Sequence, residues 1–206
     1  MAYSRPAIAA LVAVNLAPLA GIFAFGWGLH SVVFLYLIEN VVIGLYTVAK
    51  MLLASKGGSL GGTRAYKVLF FLAHYSTFVV LHGAFLTFLL FRSEGQVIVF
   101  DFLYPLAIGL YVVSHGISLK ENYFGKHEKE KVTSVEQMWM PYRRVAPTHV
   151  ALIVASSIVL MAGNAKLLIA GVVCLKIVMD LASHCAIHRR IGRRPTIAAK
   201  RQPDEG

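Results

Sequence analysis

The stretch LHSVVFLYLIENVVIGLYTVAKMLL, from Leu29 to Leu53, decides the fold class of this chain. It is apolar almost throughout, with Glu39 near its centre and Lys50 near its end. A helix that crosses a hydrocarbon core of about 30 Å needs about 20 mostly apolar residues, and this stretch exceeds that length. It therefore predicts a transmembrane helix that carries a carboxylate inside the membrane.

Five further apolar stretches, each bounded by charged or turn-forming residues, have the same character. The chain of 206 residues is 57% hydrophobic and 15% charged, whereas a soluble domain has about 25% charged residues. We expect an all-α bundle of six transmembrane helices over residues 1–190, followed by a basic cytoplasmic tail over residues 191–206. The five stretches run from Pro6 to Trp27, Lys67 to Phe91, Val97 to Leu119, Val145 to Gly163 and Ala165 to His188.

The basic residues predict the orientation of the helices, because short loops rich in Lys and Arg stay in the cytoplasm. They cluster before the first predicted helix, between the second and third, between the fourth and fifth, and after the sixth. The other side carries only Arg92 and Lys166. This alternation predicts a multi-pass membrane protein with both termini in the cytoplasm.

The net charge of +10 is then a consequence of topology, and membrane lipids of the anionic leaflet are the expected partners. No nucleic acid is expected, because the basic tail has no interleaved aromatic residues.

A cytoplasmic segment from His127 to Tyr142 precedes the fifth predicted helix. Within it, Thr133 and Glu136 have the spacing of a capping box, and aromatic residues follow. We expect a surface connector, and the alternative is a short helix in the headgroup region that ends at Pro141, before the fifth helix begins.

Polar side chains occur inside five of the predicted helices, where an ionisable group costs about 2.5 to 3.5 kcal/mol and needs a partner or a function. On the last helix, Lys176, Asp180, His184 and His188 recur every four residues and share one slowly turning stripe. A rise of about 1.5 Å per residue puts most polar groups about 6 to 16 Å from the cytoplasmic ends. We expect them to face the bundle interior as one layer. Its other members are Glu39, Asn40, His74, His115 and His149, whereas His82 lies deeper in its helix.

Such a layer fits a divalent metal site. Histidines one helical turn apart can chelate one ion, and imidazole and carboxylate groups suit Zn²⁺, the expected metal, with iron as the alternative. Water on the metal would be acidified. Glu39 lies slightly deeper than the histidines and is the expected catalytic residue that carries the proton away. The expected ligands are His74, His115, His149, Asp180, His184 and His188.

Three other hypotheses account for the same residues. The polar groups could hydrogen-bond between helices and hold them together, with Lys176 and Asp180 neutralising each other. Histidines on facing helices could ligate a haem, for which Gly83 beside His82 leaves room. A relay through Glu39, Lys176, Asp180 and the histidines could conduct protons or metal ions.

Parts of the sequence resemble an uncharacterised family of bacterial six-helix integral membrane proteins with histidine motifs inside the membrane. The resemblance extends over most of the chain, and it implies a location in the bacterial inner (plasma) membrane. The segments that carry it are Asn15 to Leu19, Leu35 to Gly44, Phe70 to Phe85, Ser114 to Gly116 and Asp180 to His184.

A looser similarity is to the alkaline ceramidases and adiponectin receptors, which are membrane hydrolases. Members of that superfamily hold zinc with a His-x-x-x-His pair on the last helix, an earlier histidine and an aspartate. They have seven helices, and their aspartate comes from a different helix than the histidine pair, so this chain departs from the pattern. The positions here that would match are His184, His188, His74 and Asp180.

Together these observations predict an intramembrane metal-dependent enzyme. We expect a hydrolase that acts on a lipid or an amphiphilic small molecule through metal-activated water. The alternatives are a haem-binding membrane electron-transfer protein and a small transporter of metal ions or protons.

Overall fold

The structure, a computed structural model, describes residues 5–55, 62–90, 98–162 and 166–193. This part of the chain forms seven α-helices and contains no strand, which confirms the predicted all-α fold. A π-helical segment, Leu119–Phe124, continues the fourth helix. The helices are α1 Arg5–Ala24, α2 Leu29–Leu53, α3 Arg64–Leu90, α4 Leu103–Ser118, α5 Glu128–Lys131, α6 Ser134–Met161 and α7 Lys166–Gly192.

Four of these helices, α1, α2, α3 and α7, are long and apolar enough to cross a membrane. The helix α4 has only 16 residues before its π-helical continuation, and α6 carries Glu136, Arg143 and Arg144 in its first half. The structure therefore supports a multi-pass membrane protein. Six spans and cytoplasmic termini stay predictions. The predicted basic tail lies outside the described residues from position 194 onward.

The long helices pack as a closed ring in the order α1, α4, α2, α6, α7 and back to α1. The remaining long helix, α3, packs outside the ring, against α2 and α6. Much of its surface is exposed, including Leu69 and Val80 at 65% and 66%. Every polar side chain that projects into the ring is thus surrounded by other helices and not by lipid.

The turn between α1 and α2 shows how the sequence closes one end of the ring. Gly26 has a φ of 70°, a conformation that glycine adopts without strain. The turn brings the Trp27 ring against Gly21, where a methyl group would lie 2.2 Å from the indole. The indole N–H donates to Asp101 over 2.8 Å. Asp101 also accepts from the N–H of Leu103 at the start of α4.

The start of α6 confirms one prediction and corrects another. Thr133 and Glu136 form the predicted capping box, with the Thr133 side chain accepting from the Glu136 N–H. The helix does not end at Pro141, however, and runs on through Pro141 and Pro147 to Met161. A proline removes one backbone hydrogen bond, and the packing of α6 against α2, α3 and α7 outweighs that loss.

Candidate functional site

Four charged side chains form a closed network of ion pairs at the centre of the ring. Arg144 of α6 donates from Nη2 to Glu39 over 2.8 Å and from Nε to Asp180 over 2.9 Å. Lys176 of α7 contacts the second oxygen of Glu39 and the second oxygen of Asp180, each at 2.6 Å. All four carboxylate oxygens are therefore paired. We call these four residues the ion network.

A fifth polar residue, Asn15, contacts the ion network from α1. Asn15 of α1 accepts the third proton of Lys176 over 3.0 Å, and its own amide donates to the Leu11 carbonyl. Every N–H of the ammonium group thus has an acceptor. Two carboxylates and two cations sum to zero, which is the condition under which charges in a low-dielectric interior are tolerated.

Two tyrosines lie beside the ammonium group on the inner side of the ring. The Lys176 nitrogen is 4.4 Å from the centre of the Tyr36 ring and 5.9 Å from that of Tyr111, distances typical of cation–π contacts. Both hydroxyl groups are buried without a hydrogen-bond partner in the described part of the chain. Buried hydroxyl groups of this kind need acceptors or water.

A polar cavity of about 90 Å³ adjoins the ion network. It is lined by all five ring helices and by Glu128 of α5, and its wall includes Arg144. The volume is enough for a few water molecules, each of which takes about 30 Å³ in the liquid. Its polar lining comprises Thr47, Lys50, Ser114, His115, Ser118, Glu128, Gln137, Arg144, His184 and His188.

Two histidines of α7 line the cavity between Glu128 and the ion network. His188 donates from Nδ1 to Glu128 over 2.6 Å, and its ring lies 4.4 Å from that of His184. The Nε2 of His184 is buried without a partner among the described residues. Asp180 follows one helical turn further along the same face. The predicted stripe on α7 therefore faces the ring interior.

The segment after α4 holds the cavity wall in place. The Tyr123 hydroxyl donates to the Lys50 carbonyl over 2.6 Å, and burial raises the pKa of Tyr123 to about 12. The phenol therefore stays a donor at physiological pH. His115, one of the predicted metal ligands, lies on the same wall with its ring 5.7 Å from that of Tyr46.

His149, another predicted ligand, belongs to a separate buried group between α2, α3 and α6. Its Nδ1 donates to the Val145 carbonyl over 2.6 Å, so its Nε2 is an acceptor, 3.3 Å from the amide of Asn40. The His82 ring lies 3.7 Å away. Two imidazoles that ligate opposite faces of one haem iron need more separation than this contact allows, since each Fe–N bond spans about 2 Å.

His74 lies outside the ring. It is exposed on α3, and its Nδ1 hydrogen-bonds to the Tyr142 hydroxyl at 2.7 Å. The rings of Phe70 and Trp139 flank it at 6.0 Å and 6.5 Å. It is not among the residues that line the cavity.

The structure thus distributes the six predicted metal ligands over several places. His115, His184 and His188 lie on the cavity wall, Asp180 in the ion network, and His74 and His149 elsewhere. Within the described residues, no three His, Cys, Asp or Glu side chains are grouped so that they could hold a metal ion. Binding of zinc or iron stays a prediction, as does the catalytic role of Glu39.

Arg144 is a residue of the site that the sequence did not predict, because its position suggested an exposed cytoplasmic loop. Its position among loop arginines suggested a topological role, yet its side chain is only 12% exposed and pairs with both carboxylates. One signal was present in the sequence. Glu39 and Asp180 together require two cations, and Lys176 supplies only one. Asn15, Tyr36, Tyr111 and Glu128 were also not predicted as site residues.

Comparison with known proteins assigns the chain to one family. The model of a family of unknown function (DUF6498) matches residues 1–196, and the chain belongs to that family. No curated protein and no solved structure matches it. The match confirms the resemblance to an uncharacterised family. The bacterial origin of that family and the similarity to alkaline ceramidases and adiponectin receptors stay predictions.

Proposed function

We propose that this member of the DUF6498 family is a multi-pass protein of the bacterial inner membrane that moves protons through its helix ring. The observation that carries the proposal is that the polar cavity reaches Arg144, which bonds both carboxylates of the ion network. Ionisable residues inside a membrane mark proton relays and ion paths. The cytoplasmic side is the expected side of the cavity, because Lys50 and the basic residues that follow α4 lie at that end.

The proposed path follows α7. Water in the cavity delivers a proton to the free Nε2 of His184, and the proton then passes to Asp180 one turn further. Protonation of Asp180 leaves the ion network with an excess positive charge, because Arg144 and Lys176 stay charged. When the helices move, Lys176 releases one proton to water on the far side, and the proton on Asp180 then crosses the 2.6 Å contact to Lys176. One proton enters, one leaves, and all four groups regain their starting charges.

Among the described residues, apolar side chains fill the far end of the ring. Apolar side chains, including Trp27, Leu29 and Val173, are buried there with at most 1% of their surface exposed. A continuous water channel is therefore not part of the proposal. We expect a gated path in which the helices must move before the proton leaves, and hence a slow flux.

The size of the cavity favours protons or a small ion over a lipid substrate. Sites that bind drug-sized molecules have volumes of about 300 to 1,000 Å³, whereas this cavity has about 90 Å³.

Metal-dependent hydrolysis of an amphiphilic substrate is the second candidate. It is favoured by His115, His184, His188 and Glu128 on one cavity wall, although a shared metal ion would require these side chains to move together. Elemental analysis of protein purified without chelator tests it. Zinc or iron at one equivalent, lost in His184→Ala, would support the metal site that this hydrolysis requires.

The proposal is tested in liposomes that contain the purified protein and a pH-sensitive dye. A potassium diffusion potential drives protons inward, and the wild type should acidify the lumen faster than empty liposomes do. Asp180→Asn should lower the rate to that of empty liposomes, because the neutral amide cannot carry the proton. His184→Ala should lower the rate as well, and it should fold normally since its Nε2 has no partner among the described residues.

The control is His74→Gln, which removes a histidine from the exposed surface of α3. This variant should conduct as the wild type does. Wild-type liposomes no faster than empty ones, or an Asp180→Asn variant as fast as the wild type, would refute proton movement through the ion network.

A further inference from the structure

A second cleft, separate from the ion network, lies between the start of α6 and the end of α7. Its volume is about 200 Å³. Arg143 of α6 and Arg190 of α7 both line it, together with Trp139 and the apolar side chains of Ile187 and Ile191. It is therefore an amphipathic cleft, with two guanidinium groups next to an apolar floor.

Both arginines are available to a ligand. Each is exposed, and no ion pair or side-chain hydrogen bond of either is found among the described residues. The one acidic residue of the cleft, Glu136, is engaged in the capping box, where its Oε2 accepts from the N–H and the hydroxyl of Thr133. The cleft thus holds two guanidinium groups and one carboxylate, a net charge of +1.

The position of the cleft matches the level of lipid headgroups. Trp139, 47% exposed, lies at the polar start of α6, and tryptophan is enriched where a membrane meets water. Arg189, Arg190 and Arg193 end the apolar run of α7, where such residues reach the headgroup region.

We propose that this cleft binds the headgroup of an anionic phospholipid. Guanidinium groups bind phosphate oxygens through paired N–H donors, and Arg143 and Arg190 would share the phosphodiester. Ile187 and Ile191 would contact the glycerol and the first methylene groups. The volume holds about seven waters at about 30 Å³ each, which suits a phosphodiester and its glycerol and leaves the acyl chains in the bilayer.

This proposal rests on the membrane location in the proposed function but not on proton movement. A protein that conducts no protons could still bind lipid at this cleft, and a protein that conducts protons could lack the lipid site. The test therefore measures lipid binding directly, on the full chain in lipid nanodiscs.

Fluorescence quenching supplies the measurement, since the chain has two tryptophans and only Trp139 is exposed. Trp27 is 1% exposed and serves as an unquenched reference. Nanodiscs of phosphatidylcholine contain a minor fraction of phosphatidylglycerol brominated near the headgroup. The quenching of Trp139 should correspond to a local concentration of brominated lipid at least about fivefold above that expected for random mixing. A factor of about five is the effect of one arginine at an anionic surface.

The double variant Arg143→Gln and Arg190→Gln should reduce quenching to the random-mixing value. Its control, Arg189→Gln and Arg193→Gln, removes the same charge from neighbouring positions that do not line the cleft and should behave as the wild type. Equal loss in both variants would refute the site, because general surface charge would then explain the effect. Relief of quenching by millimolar inorganic phosphate would also refute it, since the ligand would then be the free anion.

Discussion

Lys176 is a buried charged side chain whose every N–H donor is paired. Its three N–H donors have three different acceptors, one each on Glu39, Asp180 and Asn15. A buried ion pair adds little net stability, but removal of one partner costs about 3 to 5 kcal/mol because the other charge is left alone. The ion network is therefore costly to alter one residue at a time.

Gly21 permits the closest approach between side chain and backbone at the α1–α2 turn. We expect Gly21→Ala to lower the free energy of unfolding by about 1 to 3 kcal/mol, because its methyl group would lie 2.2 Å from the Trp27 ring. Thermal melting in detergent measures the change. The matched control is Gly109→Ala on α4, where nothing lies within 4 Å. Equal melting temperatures of the two variants would show that the Trp27 ring can move to make room for the added methyl group.

At the scale of elements, the short helix α5 and the π-helical segment before it form the rim of the cavity. Tyr123 bonds the Lys50 carbonyl, the Ser55 N–H donates to the Lys129 carbonyl, and Glu128 accepts from His188. Three separate bonds thus fasten this rim to α2 and α7. Only the last of them joins two ionisable side chains, so it is the one that a change of charge can release.

Glu128→Gln should loosen the rim and make the cavity more accessible. The amide keeps the shape but loses the charge that pairs with His188. In a background with Cys174 and Cys185 replaced by alanine, a cysteine introduced at Ser114 on the cavity wall reports access through its rate of labelling by a small hydrophilic thiol reagent. The rate should rise in Glu128→Gln. A labelling rate that is unchanged by the substitution would mean that the Glu128–His188 bond does not limit access.

The helix α6 carries two environments along one continuous axis. Its first turns bear the capping box, Trp139 and Arg143 at the surface, whereas Arg144 projects into the ring. Adjacent positions on a helix point about 100° apart, as a period of 3.6 residues requires. A single step along the chain therefore separates the arginine of the surface cleft from the arginine of the ion network.

At the scale of the whole molecule, five helices enclose the polar groups and the sixth long helix is an outer layer. The placement of α3 outside the ring explains why its histidine His74 is exposed, although its sequence resembles that of the inner helices.

Reporter fusions test the topology directly. Fusions after Gly58, Lys131 and Pro195 should all report from the cytoplasm, because each position follows an even-numbered predicted span and lies among basic residues. Two reporters, one active only in the cytoplasm and one active only in the periplasm, distinguish the outcomes at each site. A periplasmic signal at any of the three sites would contradict the six-span arrangement.

The sequence by itself determined the helices, since apolar runs of this length have few other structures available. It predicted α2 to the residue, from Leu29 to Leu53, and the capping box before α6. It also identified the polar stripe on α7 from its four-residue spacing, because that periodicity depends only on local geometry.

Only the tertiary structure decided which polar groups meet. The distance from the cytoplasmic end of each helix placed His74 at about the same depth as His184. That distance does not say in which direction a side chain points around the helix axis, or which helices are neighbours. Packing placed α3 outside the ring and rotated Arg144 into it. A proline that ends helices in water lies within a continuous one here, because neighbouring helices pack around it. The ion network exists because five helices close around it, and that closure is a property of their mutual packing, which no single stretch of sequence contains.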